Sequence, residues 1–144
     1  MDGGVTANMI FGGRLPEEYR LTGVWQRLYP DVPMPKLRYW VIFNNQLHAE
    51  PRLVPATWYD MVVRSIEVST RASSLNAMRQ LFLMAEVARM KRNADVEVRI
   101  VAIPDEWRAP KPAPFHKATM NSLADLGEKM GADSKSWIME APTQ

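Results

Sequence analysis

The stretch SSLNAMRQLFLMAEVARMKR, residues 73–92, decides the fold class. Ser73 or Ser74 offers a side-chain oxygen to cap a helix start. Leu75, Met78, Leu81, Phe82 and Ala85 then recur at helical spacing on one face, and Leu83, Met84 and Val87 add a second. From Leu81 to Ala85 the helix is apolar all round, so it belongs at the centre of the fold, against more than one partner. Arg89, Lys91 and Arg92 fall at its negative end, and Asn93 is suited to close it.

Strand signals flank this helix. DVEVRIVAI, residues 95–103, alternates: Val96, Val98, Ile100 and Ala102 point one way, Glu97 and Arg99 the other. That is a half-buried strand, stopped by Pro104. LRYWVIF, residues 37–43, is rich in aromatic and β-branched side chains and reads as a strand. Asn44-Asn45 then offers a tight turn, and Gln46 to Glu50 a short antiparallel return bounded by Pro51 and Pro55. Residues 57–68 (TWYDMVVRSIEV) carry two competing patterns. Thr57 with Asp60 resembles a helix cap, and Trp58, Val62 and Ile66 share a helical face. Val62, Arg64, Ile66 and Val68 share a strand parity, and the strand reading is preferred from Met61 onward.

Two shorter helices complete the expectation. One starts at Pro16-Glu17-Glu18, carries Leu21, Val24, Trp25 and Leu28 on one stripe, and ends at Pro30. The other is capped by Ser122, shows Leu123, Leu126 and Met130 on one face, and stops at Gly131. Ser136 to Glu140 reads as a short last strand. Pro30-Asp-Val-Pro-Met-Pro35 and Ala109-Pro-Lys-Pro-Ala-Pro114 are stiff extended connectors. Residues 1–13 read as a mobile N-terminal arm with Ile10 and Phe11 as a sticky point, and residues 14–144 as one globular domain. The expected fold class is α+β: a small single domain with a central helix, about 73–92, packed on a short, mostly antiparallel sheet.

Composition narrows the chemistry. The 144 residues contain no cysteine, which excludes disulfides, thiolate metal sites and cysteine nucleophiles. Net charge is +2, and the 18 cations divide into 12 Arg and 6 Lys. The planar fork of Arg suits phosphate, carboxylate and interface contacts. No apolar run reaches the roughly 18 residues of a membrane span. The first thirteen residues lack a basic-then-apolar signal pattern, so an intracellular setting, or one within a particle, is expected.

Catalytic fingerprints are missing. His48 and His116 lie 68 positions apart without metal-ligand spacing to a second His or carboxylate. The acidic pairs Glu17-Glu18 and Asp105-Glu106 read as first-turn helix carboxylates. Gly3-Gly4 and Gly12-Gly13 do not make a phosphate loop. No cofactor or metal is expected. The primary expectation is a non-enzymatic interaction or assembly protein, working as a homo-oligomer or as a subunit of a larger particle such as a viral or phage one. Its contacts would involve Ile10, Phe11, Pro110, Pro112 and Pro114. A second reading is an RNA- or DNA-binding protein using Arg89, Lys91, Arg92, Arg99 and Arg108, with Lys36 and Arg38 leading into Tyr39-Trp40. A third, a small hydrolase or transferase, requires one of the histidines to meet a carboxylate in a pocket.

Overall fold

The computed structural model describes residues 16–48, 51, 53–91, 94–111 and 115–143. Its elements are α1 (Leu21–Leu28), β1 (Leu37–Gln46), α2 (Trp58–Met90), β2 (Val96–Ile103) and α3 (Lys117–Ala132), with single 3-10 turns at Glu17–Tyr19 and Ser134–Ser136. Among the described residues, no helix is long and apolar enough to cross a membrane.

The central helix is far longer than residues 73–92. It begins at Trp58, so the strand expected from Met61 onward is helix instead. Thr57 is the cap: its Oγ1 accepts a hydrogen bond from the Asp60 N–H at 3.2 Å. Inside the helix, the Ser65 and Ser74 hydroxyls donate to the carbonyls of Met61 and Thr70, four residues back. The physical reason for the correction is cooperativity. Extending an established helix costs little per residue, and that outweighs the strand preference of Val62, Val63, Ile66 and Val68.

The sheet is also corrected. β1 and β2 pair in parallel, from Leu37 opposite Val96 to Phe43 opposite Ala102. The expected mostly antiparallel sheet fails because the chain runs back along α2 before entering β2, which makes a βαβ crossover. Asn44-Asn45 does not turn the chain. It lies inside β1, where the register slips between Phe43 and Gln46. The described residues after it do not form a returning strand. Among the described residues, antiparallel pairing is confined to one bridge, where Ile100 and Ile138 exchange backbone hydrogen bonds of 2.9 and 2.8 Å. That bridge is all that forms of the strand expected over Ser136–Glu140.

Alternation along β2 sorts the two sheet faces as read from the sequence. Val96, Val98 and Ile100 are buried against Met78, Leu81 and Ala85 of α2, with Phe43 and Ala94 closing the core. The opposite face carries Arg38, Trp40 and Ile42 from β1 beside Glu97, Arg99 and Val101 from β2. Beyond that face lies α3. It starts at a His116 cap rather than at Ser122 and runs through Gly131 to Ala132. A mostly apolar cleft of about 280 Å³ separates it from Ile42 and Val101. The α3 wall of this cleft includes Leu123, Leu126, Gly127, Met130 and Gly131.

Lengths decide what α2 does at its start. Thirty-three helical residues span about 50 Å, whereas an eight-residue strand spans about 26 Å. Arg71 is level with the carboxyl end of β1, since its Nη1 donates to the carbonyls of Gln46 and His48 at 3.0 and 2.6 Å. Residues 58–70 therefore overhang the sheet by about 20 Å.

Candidate functional site

The outer face of α2, turned away from the sheet, is the most unusual surface of the molecule. The buried residues Ser74, Met78, Leu81 and Ala85 define the inner face. The opposite row comprises Trp58, Val62, Ser65, Ser69, Ala72, Asn76, Gln80, Leu83, Val87 and Met90, spaced four or three residues apart. All ten are exposed, and none is charged. Trp58 is 78% and Met90 72% accessible, and Ile66, on the flank of the same row, is 62%. A solvated helix face ordinarily carries charge along its length. The overhang compounds the anomaly. It is rich in β-branched residues, which are poor helix formers, and it extends past the end of the sheet that packs the rest of α2.

A polar node sits where both strands end. The His48 Nδ1–H donates to Asp105 Oδ2 at 2.6 Å, and the His48 backbone N–H donates to Asp105 Oδ1 at 3.2 Å. Gln46 adds a second brace, its Nε2 donating to the carbonyls of Pro104, Asp105 and Trp107. Arg71 holds the same segment from α2 and approaches Glu67 at 3.8 Å. Partial burial is the largest single influence on Asp105 and acts upward. The hydrogen bonds from the His48 ring and amide, with the charges of His48 and Arg71, outweigh it, so the carboxyl sits below its usual value. Chemically this is an oriented imidazole whose Nε2 faces away from its carboxylate. No hydroxyl among the described residues bonds to it. His116 plays a different part, since its Nδ1 accepts from the Ala118 N–H and caps α3.

The sheet face turned away from α2 holds the third cluster, near the start of both strands. Glu97 is surrounded by Lys36 at 3.0 Å, Arg38 at 3.6 Å and Arg99. The hydrogen bond from Lys36 is the leading cause that holds the Glu97 carboxyl below its ordinary range, and the same bond raises Lys36. Arg99 lies over the ring of Trp40, 4.8 Å from its centroid, and Trp137 meets Trp40 edge-on at 4.7 Å.

Comparison with family models, curated proteins and solved structures finds no match to this chain. The functional reading therefore rests on geometry alone.

The residues expected from sequence to bind nucleic acid are spread out. Arg89 and Lys91 lie at the end of α2, near the start of β2. Arg99 is on the far face of the sheet, and Arg108 lies beyond the other end of β2, donating to the carbonyls of Asp105 and Trp107. The length of β2, about 26 Å, separates the first two from the last. Pro110 is exposed in an irregular segment. Ile10, Phe11, Arg92, Pro112 and Pro114 lie outside the described residues.

Sequence reasoning missed two features. The uncharged row from Trp58 to Met90 was available as a signal, but only to a reading that ran one helix through both segments. The His48–Asp105 contact left no local signal, because 57 positions separate the two residues.

Proposed function

We propose that this chain is a non-enzymatic assembly subunit, acting as a homo-oligomer or within a larger intracellular particle, and that the outer face of α2 is its contact surface. One observation carries the reading: ten exposed positions in a row along a 33-residue helix contain no charged side chain. Burying such a row removes apolar area from water at roughly 25 cal/mol per Å² and leaves no unpaired charge behind. It also gives the overhang an apolar packing surface where the sheet does not reach.

The test is the mass of the full chain by size-exclusion chromatography with light scattering. The wild type is expected to run above 16.4 kDa at micromolar concentration. Trp58→Glu/Leu83→Glu, both at exposed positions, is expected to run as a folded monomer. A wild type that stays monomeric and retrieves no partner contradicts the reading.

A nucleic-acid contact is the second reading, supported by the stacked Arg99 and Trp40 pair beside Arg38. Fluorescence anisotropy with a single-stranded oligonucleotide tests it. Affinity should fall steeply with salt and weaken in Trp40→Ala. Salt-independent binding, or none, counts against it.

A further inference from the structure

The outer row of α2 has a symmetry that specifies its partner. From either end, large apolar residues come first and small or amide residues lie in the middle: Trp58 and Val62 at one end, Met90, Val87 and Leu83 at the other, Ser65, Ser69, Ala72, Asn76 and Gln80 between. The spacing is symmetric as well. Reversing the helix about a point near residue 74 lays the ten positions onto themselves within one residue.

Resting on the assembly reading above, we infer that the occupant of this face is a second copy of the chain, with its α2 running antiparallel across a two-fold axis near residue 74. Trp58 then meets the Met90 position of the other copy, Val62 meets Val87, Ser65 meets Leu83, Ser69 meets Gln80, and Ala72 meets Asn76. Large apolar side chains contact each other at both ends, and small or amide side chains let the helices approach at the crossing. The interface is isologous, so one surface supplies both sides and the assembly closes as a dimer.

Antiparallel pairing is favoured over parallel on two physical grounds. Each 33-residue helix carries a macrodipole, and antiparallel neighbours attract where parallel ones repel. Each overhang also comes to rest on the half of the other helix that its own sheet already supports. In a parallel pair the two overhangs, which the sheets do not reach, would brace only each other. A standard specific interface buries about 800 Å² per partner, and this row runs the whole of a 33-residue helix, about 50 Å. The row alternates steps of four and three residues with one added step of four between Asn76 and Gln80, so the pair stays close to straight.

Charge exchange tests the geometry in the full-length chain. Val62→Lys and Val87→Glu are each expected to raise the dimer dissociation constant at least tenfold in sedimentation equilibrium, while circular dichroism stays unchanged because both positions are exposed in the monomer. The double variant Val62→Lys/Val87→Glu sets an introduced ammonium against an introduced carboxylate at both ends of the interface and is expected to recover most of that loss. In a parallel dimer like charges would meet, and the double variant would be the weakest of all; that result overturns the inference. Thiols give a second measurement, because the chain has no cysteine of its own. Trp58→Cys/Met90→Cys should cross-link between copies under mild oxidation, and Trp58→Cys alone should not. Efficient cross-linking of the single variant also overturns antiparallel pairing. A wild type that never dimerises overturns both this inference and the assembly reading, whereas a dimer with no charge rescue overturns only the pairing.

Discussion

The Nδ1 of His48 lies 2.6 Å from the Oδ2 of Asp105, and this contact ties together the two segments that leave the parallel strands. Asp105 is held below its ordinary carboxyl pKa despite the upward push of burial. A carboxyl lowered in the folded state stabilises above its unfolded pKa of about 3.9, and that contribution is lost as pH falls through the folded value. Asp105→Asn should therefore lower the melting temperature at neutral pH and converge with the wild type in acid, below both values. Half of the carboxyl faces solvent, so screening keeps the effect within about 1 kcal/mol. Thermal melts of both proteins from neutral pH down to about pH 2, below the unfolded value, check this; a difference that persists at the acid end contradicts it.

The two halves of α2 should respond differently to truncation. Met78 is fully buried against the sheet, so Met78→Ala should cost about 2–5 kcal/mol of folding stability. Ile66 stands in the overhang, and Ile66→Ala should change monomer stability by no more than about 0.5 kcal/mol. Urea unfolding at concentrations too low for association separates them. Equal losses would mean that the overhang is packed within one copy.

Thr57 caps the overhang through the Asp60 amide. Removing the cap in Thr57→Ala should cost about 1 kcal/mol locally. Hydrogen exchange should then speed up about fivefold at Met61 and its neighbours. Exchange at Val98 and Ile100, which opens only with the core, should not move. A slowdown of the whole protein's refolding with no local change would argue against an independent overhang.

Gly127 and Gly131 sit inside α3, and a Cβ built on either meets no atom within 4 Å. Gly127→Ala should therefore stabilise the chain by about 0.5–1 kcal/mol, because the helix gains a better former without a clash. Chemical denaturation measures this directly. Destabilisation would mean that α3 closes onto the sheet in solution and fills the cleft.

Much of the core was legible in the sequence, and the reasons are local. Period-two alternation placed Val96, Val98 and Ile100 inward on a strand, and helical spacing placed Met78, Leu81 and Ala85 inward on a helix. Both rest on the fixed geometry of one element. The apolar stripe of α1 was read the same way, although only Val24 and Trp25 of its four members are partly buried. Errors arose where two elements had to be related. Asn44-Asn45 has the residue types of a turn, but nothing local shows that β1 continues through it to meet a strand about fifty residues further along. Val62 to Val68 carries strand propensity, but helix continuity from the neighbouring segment overrides it.

By itself, then, the sequence determined the class of elements, the inward faces of β2 and of the later half of α2, and the absence of thiol chemistry. Only the tertiary structure decided that the strands run parallel, that His48 meets Asp105, and that the first thirteen residues of α2 stand clear of the sheet. Those are matters of length and crossover: a 33-residue helix returning along shorter strands must overhang them, and no single segment encodes the mismatch. The uncharged face of α2 was written in the residues throughout, but it became a surface only when the fold showed which side of the helix the sheet left bare.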